Sequence, residues 1–402
     1  MTSSDDSLEP IEGSMSPLAR KVLRAAPWVL LGIGLLLPVV AIAVVDVAPR
    51  DDRDLLPARV ELAEEANLRE PWERAAAALA LDAEGVSRFQ RFEREPGSEI
   101  VASFARADVE LLERNAQALA ELAEAARRPA AQWPPPVPPG LAFDWRAASP
   151  LHGLWCLHVA RLLADGEGEA ALDAALAWAR IGARIARDPA GLVGLLWGAR
   201  MREQGLELVV VCLRRADLAP ERSRRLVSEL DALRGSDDDL AAAWRSEYAW
   251  YKASVDWMLS LGAAPAALGP GAASDLWSRV QFKRGRTQNL VADCFRTALA
   301  ALRAGGTPAV RKAMGPARGP GTLDFLLGNG VGARLPRSFE KLWQLDWDRV
   351  RIDAVRAAVL LRLHELETGA LPASLEALGV AAPLEYDAAA RSLTWGERTL
   401  EF

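Results

Sequence analysis

The stretch that decides the fold is LLADGEGEAALDAALAWARIGARIARDP, residues 162–189. Its apolar residues follow helical spacing on both sides of a break at Asp165-Gly166, and Asp188-Pro189 ends the second run. This pattern predicts two amphipathic helices joined by a short turn, which is an antiparallel helical hairpin. Ala170 and Ala171 are small enough to let the two helices approach closely.

The helical pattern continues on both sides of this hairpin. Short breakers recur at Pro220 and at Gly235-Ser236-Asp237, and loops of this length join antiparallel neighbours. The hairpin resembles a tetratricopeptide (TPR) unit, although no clean repeat of about 34 residues surrounds it. We therefore predict a mainly α fold in which residues 151–338 form a TPR-like stack of hairpins.

The C-terminal region, residues 339–402, is predicted to be a small α+β cap. A helix is expected over about 339–367, followed by PLEYDAAARSLTWGERTLEF at residues 383–402. The apolar and aromatic residues of this last stretch flank turn residues, which indicates two or three short strands.

Four segments precede the stack. Residues 1–24 are predicted to be a disordered cytoplasmic tail, because their first part is acidic, rich in serine and poor in apolar residues. Residues 25–47 are predicted to be a transmembrane helix. Residues 48–128 should hold membrane-proximal helices over about 57–69, 71–81 and 98–128, with Ser98 as the N-cap of the last. Residues 129–150, which include PAAQWPPPVPPG, are predicted to be a stiff proline-rich linker.

The predicted membrane span rests on AAPWVLLGIGLLLPVVAIAVV, residues 25–45, which carries no charge and ends at Asp46. At about 1.5 Å per residue, a helix of this length covers a hydrocarbon core of about 30 Å. Trp28 would lie at the level of the headgroups. A cleaved signal peptide is the alternative, because Ala41-Ile42-Ala43 fits a small-x-small cleavage pattern, but the apolar run continues past it.

The orientation of the span is read from its flanking charges. Arg20, Lys21 and Arg24 form a compact cluster before it, whereas the arginines that follow it are interleaved with aspartates. This arrangement predicts a cytoplasmic N-terminus and a periplasmic body in a single-pass protein of a bacterial inner membrane.

Composition excludes some partners. The chain has 48 Lys and Arg residues against 54 Asp and Glu, with a formal charge of −6. Both signs are mixed along it, so it lacks the basic face that binds nucleic acid. Cys156, Cys212 and Cys294 are predicted to be buried apolar residues, with a Cys156–Cys212 disulfide as the alternative.

The chain from about residue 133 onwards resembles a group of largely uncharacterised, membrane-anchored helical bacterial proteins from planctomycete-like genomes. The resemblance rests on the proline-aromatic lead-in, the hairpin at 162–189, the LGNGVG turn at 327–332 and the GALPASL stretch at 369–375. The last stretch is also similar to the loop that follows the helix of type II secretion major pseudopilins. These likenesses imply a fold and an anchor, and they imply no activity.

The residues that could carry chemistry do not form a recognisable constellation. His152, Cys156 and His158 share a predicted helix, but the only other histidine is His364, so a zinc site would lack ligands. His364-Glu365 begins H-E-x-x-H with Thr368 in place of the second histidine. The sequence therefore predicts no catalytic residue, no cofactor and no metal, and it leans against an enzyme.

One aromatic cluster is a candidate surface for a partner or a glycan. Trp244, Tyr248 and Tyr251 recur at four and three residues, and Trp250 and Trp257 lie seven apart on another side of the same helix. Both stripes can pack in a core, or one can line a groove in which flat rings contact sugars or side chains.

These observations predict a membrane-anchored, non-catalytic scaffold or interaction subunit of the cell envelope with a protein partner. One alternative is a glycan-binding or glycan-cleaving envelope protein that uses the aromatic cluster. Another is a component associated with secretion or pili, which the GALPASL stretch suggests.

Overall fold

The structure is a computed structural model, and it describes residues 21, 26–27, 46–58, 61–80, 97–134, 147–188, 191–215, 218–260, 284–314, 343–380 and 383–402. Within this part the chain is mainly helical, as predicted. The helices are α1 (Arg69–Ala77), α2 (Gly97–Ala102), α3 (Arg106–Arg114), α4 (Ala116–Arg127), α5 (Ala148–Ala164), α6 (Gly168–Arg187), α7 (Leu192–Arg215), α8 (Pro220–Asp231), α9 (Asp237–Ser260), α10 (Arg284–Met314) and α11 (Trp343–Thr368).

The predicted hairpin at 162–189 is present as the end of α5, a turn and the whole of α6. Gly166 adopts a φ of +80°, a conformation that suits glycine, and the α6 amide of Ala171 bonds the carbonyl of Glu167. The four-residue steps of α6 bury one continuous face, so the hairpin has the amphipathic character that its sequence indicates.

The closest helix packing is between α6 and α7, which cross in an antiparallel direction with their backbones in direct contact. Gly182 of α6 faces Gly198 of α7, and Gly205 faces Ala179. A Cβ atom added to any of these glycines would lie less than 3.0 Å from backbone atoms of the other helix. Glycine is therefore required at these positions, because the obstacle is backbone rather than a movable side chain.

Helix α7 belongs to two hydrophobic cores. The main core joins α1–α8, α11 and the C-terminal sheet. The second core lies between the first turns of α7, α9 and α10, and it includes Trp244, Tyr248 and Phe295. Residues on both sides of the predicted linker, such as Leu122 and Leu151, share the main core, and Trp133 within the linker is 2% exposed.

Two of the predicted membrane-proximal helices are wrong. Among its described residues the expected helix at 57–69 has only a single 3₁₀ turn, Glu64–Ala66, before α1 begins at Arg69. The expected helix at 98–128 is three helices, α2, α3 and α4. Side chains cause the breaks: Asp108 accepts the amide of Ala105 at 2.7 Å, and Asn115 bonds both the amide and the carbonyl of Ala80.

The predicted C-terminal strands are confirmed as a three-stranded antiparallel sheet of β1 (Glu385–Asp387), β2 (Ser392–Trp395) and β3 (Arg398–Glu401), in the order β1-β2-β3. Leu393 pairs with Leu400, and both are buried with Trp395 in the main core. Gly396 has a φ of +57° in the two-residue turn between β2 and β3, as such hairpins require.

The predicted membrane span lies almost wholly outside the described residues. Among the helices that the structure describes, none combines the length and the apolar character needed to cross a bilayer. Helices α6 and α7 pack as an antiparallel pair, and the finer TPR-like stack of hairpins stays a prediction.

Ion pairs fasten the C-terminal cap to α7. Glu203 accepts hydrogen bonds from Arg200, Arg398 of β3 and Arg351 of α11. Burial alone would raise the pKa of Glu203, but the neighbouring Arg351, Arg200 and Arg398 guanidiniums lower it to about 2. The ionised carboxylate therefore contributes stability above its usual pKa of 4.5, and that contribution is lost as the pH falls towards 2.

We predict that Gly198→Ala destabilises the protein strongly, because its methyl group would force α6 and α7 apart. The expected loss is about 2 kcal/mol or more of unfolding free energy, measured by urea denaturation. Gly235→Ala is the matched control, since its Cβ would meet nothing closer than 3.6 Å. Equal stability of the two variants would contradict the packing described for the crossing.

We predict that Glu203→Gln lowers the unfolding free energy by on the order of 3 kcal/mol at pH 7, as the pKa difference implies. The gap between the variant and the parent should close as the pH is lowered from 5 to about 2, in urea denaturation curves measured across that range. Glu397→Gln, at a turn position whose residue is exposed, should leave the curves unchanged. A gap that does not vary with pH would contradict the role of the ionised carboxylate.

Candidate functional site

The aromatic cluster of α9 is divided between core and surface. Trp244 and Tyr248 are 0% and 1% exposed, and Tyr248 packs against Phe295 of α10 with ring centroids 5.7 Å apart. Trp250 and Tyr251 are partly exposed and meet edge to face at 5.3 Å. Of the predicted surface, then, only these two rings are open to a ligand, and the side chain of Trp257 lies outside the described part.

His152 and Cys156 are brought together on α5, with 3.2 Å between the His152 Nε2 and Cys156 Sγ atoms. Both are buried, and the Trp178 ring lies 5.5 Å from the imidazole. Burial lowers the pKa of His152 to about 3 and raises the pKa of the Cys156 thiol. The imidazole is therefore neutral and the thiol protonated near pH 7, so the pair has no nucleophile or proton donor poised for chemistry.

The other cysteines are also free thiols, and no Cys156–Cys212 disulfide is formed. Burial raises the pKa of Cys212 to about 12 and that of Cys294 to about 11. Within the described ranges, His, Cys, Asp and Glu side chains nowhere converge in a group that could hold a metal ion.

A series of polar contacts is made by residues 46–58, which we call the strap. It follows the apolar run at 25–45 directly and lies against α9 and α10. Asp46 accepts the amides of Gly285 and Arg286 at 2.7 and 3.0 Å, so its carboxylate caps the first turn of α10. The amide of Arg50 donates to Asn289 Oδ1, and the Arg50 guanidinium pairs with Asp293 at 2.9 Å.

Gly285 allows this close approach. A Cβ at this position would collide with the Val47 carbonyl oxygen of the strap. Further along, Arg296 pairs with Asp54 at 2.7 Å, and Leu55 is 1% exposed within the second core. The strap is thus fixed to α10 by a backbone contact at one end and by an apolar side chain at the other.

The centre of the strap is held by Asp52. One oxygen of its carboxylate accepts hydrogen bonds from the Tyr248 hydroxyl at 2.6 Å and from the Lys252 ammonium at 2.5 Å. Burial opposes ionisation of Asp52, but these two donors keep its pKa below the usual value. Burial and the bond to Asp52 raise the pKa of Tyr248, so at neutral pH the tyrosine donates and the aspartate accepts.

The contacts of the strap differ in how much free energy each contributes to holding it in place. Arg50 and Asp293 are 62% and 50% exposed, and a pair this open is worth about 1 kcal/mol or less. Asp52 is only 15% exposed, and a hydrogen bond to a charged group contributes roughly 1.5–3 kcal/mol. Burial of a leucine such as Leu55 contributes a similar amount, about 1.5–3 kcal/mol. Asp52 and Leu55 are therefore the main attachments of the strap.

The strap runs parallel to α10. Its partners on that helix advance from Gly285 to Arg296 as the strap advances from Asp46 to Asp54. Eleven helical steps correspond to about 16 Å, so the strap lies along three turns of α10. Its first residue, which adjoins the apolar run, is placed at the N-terminal end of α10.

Sequence reasoning missed the strap. The alternation of Asp51, Asp52 and Asp54 with Arg50 and Arg53 was informative for membrane topology, but nothing in it identifies partners about 240 positions later. The four-residue spacing of Tyr248 and Lys252 was the available signal, because it puts a hydroxyl and an ammonium on one helix face.

Comparison with known proteins adds no relative: no family model matches the chain, and no curated protein or solved structure matches it.

We predict that Asp52→Asn loosens the strap, because a neutral amide loses the charge of the bond to Lys252. Hydrogen–deuterium exchange of peptides covering residues 46–58 should be about tenfold faster or more, as a loss of at least 1.4 kcal/mol implies. Asp51→Asn is the matched control, since Asp51 bonds Arg53 within the strap itself. Equal exchange in the two variants would show that Asp52 does not hold the strap.

Proposed function

We propose that this protein is a membrane-anchored, non-catalytic scaffold of the bacterial cell envelope, whose helical body is held against the end of its anchor by the strap. In this proposal residues 25–47 span the inner membrane once, and the body, a TPR-like stack with its C-terminal cap, lies in the periplasm. The observation that carries the proposal is the position of Asp46, which immediately follows the apolar run and caps α10.

The strap supports an anchoring role because it replaces a flexible linker with a fixed connection. A free chain of 13 residues would let its ends separate by roughly 20 Å on average and in any direction. Here the connection between the apolar run and the body starts at the first polar residue. A movement of the anchor would therefore be transmitted directly to α10, because no flexible linker separates the two.

A binding role is favoured over catalysis by the groups that the body presents. The buried His152 and Cys156 are in unreactive protonation states, as their pKa shifts indicate. The glycan alternative depends on five aromatic rings, but two of them, Trp244 and Tyr248, are buried in the core and have no exposed face. Stacked helical hairpins, in contrast, bind partners through side chains on their outer surfaces and need no reactive group.

Anchoring is tested by placing charge in the apolar run. Leu35→Arg combined with Leu37→Arg should release the protein from membranes, because each arginine costs about 2.5–3.5 kcal/mol near the centre of a span. Leu62→Arg combined with Leu366→Arg is the control, since both leucines are exposed and lie outside the apolar run and the strap. The measurement is retention in the membrane pellet after alkaline carbonate extraction, and retention of the first variant would refute the span.

The scaffold role is tested by crosslinking in intact cells followed by mass spectrometry of solubilised membranes. We expect the same partner protein to be recovered repeatedly, together with crosslinks that map to the periplasmic side. Recovery of the body alone would count against a scaffold. Recovery of secretion or pilus subunits would identify the machinery that the scaffold serves.

A further inference from the structure

An open groove of about 450 Å³ lies between the C-terminal halves of α6 and α8, outside the strap and the aromatic cluster. Arg180, Arg184 and Arg187 of α6 line one wall, and Ser228 and Glu229 of α8 line the other. Their spacing puts the three guanidiniums on one side of α6, with about 10 Å between the first and last positions along the helix axis.

Positive charge is in excess in this groove. Its lining contributes three guanidiniums and one carboxylate, and that carboxylate, Glu229, is shared between Arg180 at 3.3 Å and the buried Arg222 at 3.0 Å. Arg187 reaches a carboxylate only at 3.9 Å, in Asp239. Arg184 has no carboxylate partner among the described residues, and burial together with Arg180 and Arg187 lowers its pKa.

The arginines also have structural duties, which use part of their hydrogen-bonding capacity. The Arg184 Nη1 atom donates to the Ala126 carbonyl in the last turn of α4, and the Arg187 Nη2 atom donates to the Ala232 and Arg234 carbonyls that follow α8. A guanidinium has five N–H donors, so each of these side chains keeps donors for a second partner. The carbonyl bonds hold the two side chains in place, which reduces the entropy lost when a ligand binds.

We propose that this groove binds an acidic peptide segment of a partner protein, with carboxylates seated on Arg184 and on its neighbours Arg180 and Arg187. Arginine forks match carboxylates in a bidentate geometry, and the row of guanidiniums suits side-chain carboxylates several ångströms apart better than it suits one small anion. The groove is open to solvent, which a peptide requires. This inference rests on the proposed scaffold function and names the chemistry of its partner.

The formal charge of the whole chain restricts where an acidic peptide can bind. At −6, the protein as a whole repels an acidic peptide, so attraction must come from a local site. Binding should therefore be confined to the groove and should weaken as salt screens it, with a Debye length of about 10 Å at 0.1 M.

The test uses the full-length protein in detergent and fluorescein-labelled hexaglutamate as the probe, with binding read by fluorescence anisotropy. We expect saturable binding that weakens at least tenfold in Arg184→Gln and stays within twofold in Arg303→Gln, an exposed arginine of α10. Labelled hexaglutamine should not bind. No binding of hexaglutamate at millimolar protein, or equal binding by the two variants, would overturn the proposal.

A second variant guards against misfolding of the first. Ser228→Glu places a carboxylate on the opposite wall of the groove, where it would pair with the arginines in place of a ligand. We expect it to abolish hexaglutamate binding while raising the melting temperature by a few degrees. Unchanged binding would place the peptide elsewhere.

The remaining outcomes separate this inference from the scaffold proposal. Displacement of the probe by millimolar inorganic phosphate as effectively as by unlabelled hexaglutamate would identify a small-anion site and overturn the peptide assignment. Crosslinked partners that survive Arg184→Gln in cells would leave the scaffold role standing and remove the groove from it. Hexaglutamate binding without any crosslinked partner in cells would support the groove as a peptide site and would count against the scaffold role.

Discussion

The rest of the structure depends on the contact between the backbones of α6 and α7. Helices normally pack 8–10 Å apart, at a distance set by the side chains between them, and the shortest distances need glycine or alanine. Gly182, Gly198 and Gly205 provide that surface here. Because the two helices touch, α7 can contribute one side to the main core and its first turns to the second core, so a single crossing joins both halves of the body.

Arginine side chains also bond backbone carbonyls of other elements. The last carbonyls of a helix have no intrahelical donor, so side chains can supply one. Arg202 donates to Leu233, Arg214 to Glu401 and Arg362 to Leu213, all at backbone oxygens beyond their own helices. A planar guanidinium serves several acceptors at once, whereas an ammonium is a compact point charge. The sequence has lysine only at Lys21, Lys252, Lys283, Lys312 and Lys341, and arginine supplies the rest of its positive charge.

What could be predicted from the sequence depends on how far apart along the chain the interacting residues lie. The hairpin at 162–189 and the C-terminal strands were predictable, because local spacing and turn residues determine them. The division of 98–128 into three helices was not, since Asn115 acts through the distant Ala80.

For the candidate sites, spacing correctly put Trp244 and Tyr248 on one face, but only the position of α10 shows that this face is core. The strap and the groove join segments far apart in sequence, so neither could be found before the fold was known.

The strap and the groove differ in charge balance: opposite charges are paired in the strap, whereas positive charge is in excess in the groove. In the strap, Asp51, Asp52 and Asp54 each have a cation within bonding distance. The carboxylate of Asp46 is satisfied by two backbone amides of α10. In the groove, Arg184 is partly buried and lies near the like charges of Arg180 and Arg187. The one helix carbonyl that it bonds, that of Ala126, offsets its charge only in part, since a helix end carries about half an elementary charge. A protein selected only for stability would place a carboxylate at a position such as Ser228, because the exchange costs no packing there. An uncompensated charge inside a concave surface is instead what a binding site retains so that its ligand can complete the balance.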